Sequence, residues 1–189
     1  MSNIFLISDT HFGHKSIISF TRNDGSPLRP YSSTEEMDEA MVENWNKVVR
    51  PQDKVYHLGD VAMNAGLWHM SRLNGKKILI KGNHDKDKLS KYMLYFDDVR
   101  GSHQFDGLLL THIPVHPNSL GRWPTNVHGH THSNVVTKTV TEQVDSYSKN
   151  THEVPDPRYF CVSVEQINYT PISLEELRTE VKARQEKLP

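Results

Sequence analysis

The sequence predicts an α/β domain of layered strands and helices, and two observations carry that expectation. From Ile4 to Met93, short apolar runs alternate three times with segments of helical spacing. Each run stops abruptly in polar side chains or glycine, as strands of an open α/β sheet do where their carboxyl ends deliver a site. The 189 residues suffice for one domain with a full core and leave little for a second.

The first run, Ile4–Ile7, ends in Ser8-Asp9-Thr10-His11. Asp9 and His11 lie two apart, so on an extended segment they share a face and converge on one ion. His14 opens a short helical stretch over residues 15–20. Residues 21–31 are polar, carry Gly25, Pro27 and Pro30, and read as a loop whose Arg22 and Arg29 are solvated, the alternative being contact with an anionic substrate. Ser33-x-x-Glu36 is a capping box. Met37, Met41, Val42, Trp45, Val48 and Val49 then recur at helical spacing up to Pro51, a stripe suited to core packing. Residues 54–58 form the second strand, ending in Gly59-Asp60, with His57 as a packed core histidine. Residues 65–73 fit a helix closed by Asn74-Gly75. The third run, Ile78-Leu79-Ile80, is apolar on both faces and stops at Gly82, before Asn83, His84 and Asp85. In the simplest reading Asp85 caps a helix over residues 86–93.

Beyond Met93 the pattern changes. Residues 99–105 and 108–111 read as strands about an Asp106-Gly107 turn, the second ending at His112. Pro114, Pro117 and Pro124 prevent a helix over residues 113–124, which puts His116, Arg122 and Trp123 in a loop. Residues 126–128 lead into Gly129-His130-Thr131-His132, and 135–140 are another strand candidate. Residues 141–157 are polar and proline-punctuated and read as a mobile loop with a solvated His152. Residues 159–165 return to strand, and 174–187 form a closing amphipathic helix.

Composition narrows the function. With 22 basic and 23 acidic residues the net charge is −1, so no global basic surface draws the chain to nucleic acid or membrane. Cys161 stands alone, which excludes an intrachain disulfide and a thiolate metal cluster and fits a reducing cytoplasm. The first residues lack the features of a signal peptide, and no apolar run approaches the ~20 residues of a membrane span. Twelve histidines without a tag-like run point to imidazole chemistry.

Five clusters at strand ends gather that chemistry: Asp9-x-His11, Gly59-Asp60, Gly82-Asn83-His84-Asp85, His112 and Gly129-His130-x-His132. Asp, Asn and neutral His suit manganese, iron, zinc or nickel better than a soft, thiolate-seeking ion. Seven ligands exceed one tetrahedral zinc. They suit a pair of ions ~3.5–4 Å apart, which Asp60 with its two oxygens is able to bridge.

In this order the motifs DTH, GD, GNHD, H and GHTH, spanning Asp9 to His132, resemble those of the calcineurin-like metallophosphoesterase superfamily. The resemblance implies a four-layer α-β-β-α sandwich with two central mixed sheets. It implies a first metal on Asp9, His11, Asp60 and His132, and a second on Asp60, Asn83, His112 and His130, with manganese favoured. His84 would contact the phosphoryl group and assist the leaving oxygen. Residues 162–177 resemble the last strand and helix of small prokaryotic and phage members. Protein phosphatases of the superfamily carry GDxxDRG, whereas Asp60 is followed here by Val61, Ala62, Met63 and Asn64, so that role is not expected. No insertion matches the accessory caps of its DNA-repair nucleases.

The expected function is therefore a metal-dependent phosphohydrolase, acting on a small nucleotide-type or other phosphate mono- or diester. The alternatives are a nuclease and a non-catalytic binding protein; retention of all seven ligands and His84 argues against the second. Residues 21–31 and 113–124 are expected to wall the cleft. There Trp123 would stack on a base, and His14, His116 or Arg122 would reach a phosphate.

Overall fold

The computed structural model describes residues 2–186. In chain order its strands are β1 (Ile4–Ile7), β2 (Lys54–His57), β3 (Lys76–Ile80), β4 (Asp98–Arg100), β5 (His103–Phe105), β6 (Leu108–Leu110), β7 (Thr125–His128), β8 (Thr137–Gln143), β9 (Lys149–Pro155), β10 (Tyr159–Cys161) and β11 (Ile172–Ser173). The helices are α1 (Thr34–Val48), α2 (Leu89–Tyr92) and α3 (Leu174–Glu186). They build an α/β fold around two mixed sheets, one ordered β11-β1-β2-β3-β4 and the other β10-β7-β6-β5. In the first sheet β1 to β4 run parallel and only β11 is antiparallel.

Alternation within the strands sorts side chains into two cores. Leu6, Tyr56, Leu58, Ile78 and Ile80 meet Leu108, Leu110, Val127 and Phe160 between the sheets, and α3 contributes Leu177 and Val181. Phe5, Ile7, Val55 and Leu79 project the other way, against Met37, Met41 and Trp45 of α1 and against Leu67 and Met70. β1 and the end of β3 read as continuous apolar runs because both of their faces are covered. Helix α1 starts where the sequence places it: Ser33 Oγ accepts from Glu36 N at 3.0 Å. The return contact of the box goes to Ser32 instead, whose N–H donates to Glu36 Oε2 at 2.8 Å.

The outermost layer differs from the expected helical one. On the outer face of the second sheet, Leu109 and Tyr159 pack with Leu120, Val115, Trp123 and Val136. Within residues 113–124 the helical piece is the 3-10 turn Pro117–Ser119, with proline in its first turn.

Other differences are local. The single strand expected over 99–105 breaks at Gly101-Ser102, so that β4 completes the first sheet and β5 starts the second. The expected helices over 15–20 and 65–73 are the 3-10 segments Ile17–Ser19 and Gly66–Arg72. Gly66 presses so close to the turn after β1 that a Cβ there would sit 2.0 Å from Phe12 O. The stretch 86–93 keeps only the four residues of α2 in helix. The expected mobile loop over 141–157 is instead largely the antiparallel β8–β9 hairpin. Its turn is closed by Asp145 Oδ1, which accepts from Tyr147 N and Ser148 N at 2.8 and 2.9 Å. His152 in β9 is exposed, as expected. Lys187, the last residue of the expected closing helix, lies outside the described residues.

Candidate metal centre

The carboxyl ends of β1, β2 and β3 meet those of β6 and β7, and backbone bonds stitch the turns that follow. Asp9 N donates to Gly59 O at 3.0 Å, His11 N to Asp60 O at 3.1 Å, and Gly129 N to His112 O at 2.9 Å. The turns are tight enough to force left-handed backbone at Asp9, His11, Asp60, His130 and His132, with φ between 49° and 69°. Two glycines permit the approach. A Cβ on Gly82 would lie 2.3 Å from Asp60 Oδ1, and one on Gly129 would lie 2.4 Å from Asp9 Oδ2.

Two groups of ligand-type side chains result: Asp9, His11 and His132, and beside them Asp60, His112 and His130, with atoms in each group within 4.8 Å of one another. Asp60 Oδ2 stands between the groups, 3.7 Å from His11 Nε2 and 3.3 Å from His112 Nε2. Asn83 Oδ1 lies 2.9 Å from His112 Nε2 and 3.0 Å from His130 Nδ1. All seven residues expected as ligands are thus in one place. His84 sits exposed at the rim, its ring 5.7 Å from that of His11 and its N–H donating to Asp60 Oδ1 at 2.8 Å. His14 is also beside His11, with ring centroids 5.5 Å apart.

The hydrogen bonds fix which atoms face inward. His112 Nδ1 meets Leu58 O at 2.7 Å and must carry the hydrogen, because a carbonyl only accepts. In the neutral ring the Nε2 lone pair is then turned on the oxygens of Asp60 and Asn83. Asp9 Oδ2 accepts from Ser8 Oγ, Ser163 Oγ and His130 N at 2.6, 2.8 and 2.9 Å, while its Oδ1 is buried without a donor. Both ring nitrogens of His11 are likewise buried without a partner. Lone pairs of nitrogen and oxygen converge with few hydrogens among them, an arrangement that a divalent cation of borderline hardness satisfies.

Electrostatics follow the burial. Burial pushes the Asp9 carboxyl up and the His11 imidazole well down. For Asp60 burial also acts upward, but the hydrogen bond and charge of His112 outweigh it and hold the carboxyl at about 2. For His112 burial acts downward and the Asp60 hydrogen bond prevails, leaving the ring raised.

Over 180 residues the chain is 34% identical to the uncharacterized protein MJ1445 of Methanocaldococcus jannaschii, covering 93% of this chain and 89% of that one. It belongs to the same family as MJ1445. The gene 66 protein of Mycobacterium phage D29 is 27% identical over 181 residues, covering 75% of this chain and 84% of its own length. In structure the chain is similar to the protein of unknown function AQ665 from Aquifex aeolicus, with a TM-score of 0.64, 27% identity, and coverage of 95% of this chain and 100% of that one. No family model matches. These names state no activity, so function has to be argued from the site.

The surroundings correct several expectations about the site. A cavity of about 720 Å³ opens beside His130 and His132, walled by Phe20, Arg22, Asn23, Leu28 and Asn134. Part of the loop over 21–31 therefore lines it, whereas no residue of 113–124 does. Trp123 packs against the outer face of the second sheet, and Arg122 stacks on its ring at 5.4 Å. His116 is exposed and its Nδ1 accepts from Asn118 N at 3.2 Å, a local cap. None of these three meets the metal-ligand groups.

Arg29 is not solvated: it is 1% exposed and bound to Asp9 O, Thr10 O and Glu165. Asp85 does not cap α2 either. Its carboxylate accepts from Gly82 N, Asp60 N and Val61 N at 2.8, 2.9 and 3.0 Å, bracketing the turns that carry Asp60 and Asn83. Sequence reasoning missed Arg29, Glu165 and the bracing role of Asp85. The one available signal was Glu165 itself, an acid at the end of a strand-like apolar run. His57 is the buried core histidine expected, its Nε2 3.0 Å from Thr10 Oγ1.

Proposed function

We propose that the chain is a phosphoric-ester hydrolase of the metallophosphoesterase type that works with two divalent transition-metal ions. One observation carries the reading: Asp60 Oδ2 stands between two ligand groups whose lone pairs converge on neighbouring points. The order of the DTH, GD, GNHD, H and GHTH motifs and the paired mixed sheets support it. The first ion would be held by Asp9, His11, Asp60 and His132, the second by Asp60, Asn83, His112 and His130, and manganese is our preferred pair. Cations at these positions supply Lewis-acid activation of water and neutralise phosphoryl charge.

The chain's own groups then orient and protonate. Asp85 and the N–H of His84 hold the Asp60 segment in place from behind. The His84 ring, exposed at the rim, faces a phosphoryl group seated in the centre. Water adds to phosphorus, the ester P–O bond breaks, and the departing oxygen takes a proton or hydrogen bond from this imidazole. The cavity beside His130 suits a small ester, and the net charge of −1 favours such a substrate over a long nucleic acid. No described helix is long and apolar enough to cross a membrane, and we place the activity in the cytoplasm.

Elemental analysis after loading with Mn²⁺, paired with hydrolysis of p-nitrophenyl phosphate and bis(p-nitrophenyl) phosphate, tests the proposal. Two ions per chain and metal-dependent release of p-nitrophenol are expected, and Asp60→Ala should abolish both. Full metal occupancy in Asp60→Ala, or no turnover of any phosphate ester by the loaded protein, overturns it.

A further inference from the structure

We propose that Arg29 and Glu165 form a positioning pair that serves one of the two candidate cation positions, the one drawn from Asp9, His11 and His132. The inference rests on the two-cation reading above. Arg29 crosses from its loop into the interior, where its Nη2 donates to Asp9 O at 2.5 Å and its Nη1 to Thr10 O at 2.9 Å. These successive carbonyls belong to the turn in which Asp9 and His11 adopt φ of 56° and 49°. A fixed guanidinium with a planar fork is suited to hold two such carbonyls in register.

The third donor of Arg29, Nε, reaches Glu165 Oε1 at 2.8 Å, and the same oxygen meets His132 Nδ1 at 3.1 Å. A carboxylate only accepts, so His132 carries its hydrogen on Nδ1 and keeps the Nε2 lone pair free for a cation. A carboxylate behind a ligand histidine fixes its tautomer and ring orientation. The His132 ring stacks on that of His11, 5.3 Å away and 22° from parallel, so fixing one constrains the other. One ion pair thereby controls the backbone of Asp9 and the turn to His11 on one sheet, and the ring of His132 from the other.

The second group is braced by different atoms. Leu58 O holds His112, and Asp85 holds the N–H groups of Asp60 and Val61. Neither Arg29 nor Glu165 hydrogen-bonds Asp60, Asn83, His112 or His130. Stability alone is a poor account of the pair. A buried ion pair adds little over well-packed apolar side chains, and Glu165 leaves Oε2 buried without a donor. What this pair contributes beyond packing is direction.

Calorimetric titration of the metal-free protein with Mn²⁺ alone separates the roles, with His132→Ala identifying the step that belongs to the first position. For the wild type two binding steps are expected. Glu165→Ala should weaken the His132-dependent step by about 10–100-fold and leave the other unchanged. Glu165→Gln keeps an acceptor for His132 and should fall between, a graded rescue that loss of packing would not give. Should Glu165→Ala fail to fold, Glu165→Gln, which keeps the side-chain shape, and Arg29→Lys, which keeps the charge but removes the planar fork, carry the same comparison. Equal weakening of both steps, or of neither, overturns the inference. A wild type that binds fewer than two Mn²⁺ refutes the two-cation reading itself, and this inference with it.

Discussion

Replacing Gly82 with alanine puts a methyl group where Asp60 already stands. The new Cβ would lie 2.3 Å from Asp60 Oδ1 and 2.5 Å from Asp60 N. Comfortable contacts of carbon lie near 3.5–4 Å, so the overlap is roughly 1 Å. Neither atom can retreat freely. Asp60 N is held by Asp85 Oδ2 at 2.9 Å, and Asp60 Oδ1 accepts from His84 N at 2.8 Å. Asp85 Oδ2 also accepts from Gly82 N at 2.8 Å, so the methyl pries apart two turns that one carboxylate holds together.

Overpacking of this kind costs about 1–3 kcal/mol, and losing a hydrogen bond to a charged group adds about 1.5–3 kcal/mol. We expect roughly 3–5 kcal/mol in all, a fall in melting temperature on the order of 6–20 °C for a chain of this size. Gly101→Ala is the control, because nothing lies within 4 Å of its Cβ and its φ is not left-handed. It should stay within about 0.5 kcal/mol of wild type. Thermal unfolding of the metal-free proteins measures the cost, and Mn²⁺ content after reloading measures the displacement of Asp60. If Gly82→Ala melted within about 2 °C of Gly101→Ala, less than one kcal/mol, and held two ions, the packing argument would be wrong.

Two further predictions address chemistry and pH. His84→Asn should keep the fold and bound Mn²⁺ while losing about 10²–10⁴ in turnover of an alkyl phosphate ester, and much less with p-nitrophenyl esters, whose leaving group needs little protonation; an equal loss on both would assign His84 to phosphate positioning. Burial holds His57 neutral at about 3, and its Nε2 must be the donor to Thr10 Oγ1, since that hydroxyl donates to Val61 O at 2.7 Å. The unfolded chain binds this proton below about pH 6.5, so the contribution of His57 is intact above that pH and is lost as pH falls toward 3. Between pH 7.5 and 5 the loss should be roughly 2 kcal/mol. Urea unfolding of the metal-free protein and of His57→Phe at both pH values checks this, and an undiminished slope in the variant would rule His57 out as its source.

What was legible in the sequence was whatever depends on local pattern. Short apolar runs that stop in polar residues or glycine announced β1, β2 and β3, and the Ser33 cap with its methionine and tryptophan stripe announced α1. The polar residues that follow those runs and the later ones before His112 and His130 named all seven side chains the structure brings together. What stayed hidden depends on partners far along the chain. Arg29 reads as a loop arginine because Glu165 and the Asp9 and Thr10 carbonyls, which make it a core residue, lie elsewhere in sequence. Asp85 looks like a helix cap until three N–H groups from two separate turns close around it. The expected strand over 135–140 covers only the first part of β8; the rest of the β8–β9 hairpin was missed because both of its faces are largely exposed, so its alternation runs between threonines and charges. Trp123 was read toward a ligand, since one aromatic in a loop says nothing about which side of a sheet will take it.

The backbone carries a separate argument for cations. Asp9, His11, Asp60, His130 and His132 are all held at positive φ, a region that side-chain-bearing residues visit uncommonly and that costs of order 1 kcal/mol or more each. All five side chains also belong to the two ligand-type groups, where Asp9 Oδ1 and both ring nitrogens of His11 are buried without a hydrogen-bond partner. Packing alone gives no reason to combine these costs at one place. Glycine would relieve the strain at each position, and a serine or amide would supply the missing hydrogens. The chain instead keeps acceptors in the strained positions and surrounds them with rigid braces: Asp85 behind Asp60, Ser8 and Ser163 behind Asp9, Glu165 behind His132. On the two-cation reading proposed above, such a scaffold would hold its lone pairs in place for a positive charge brought from outside the chain.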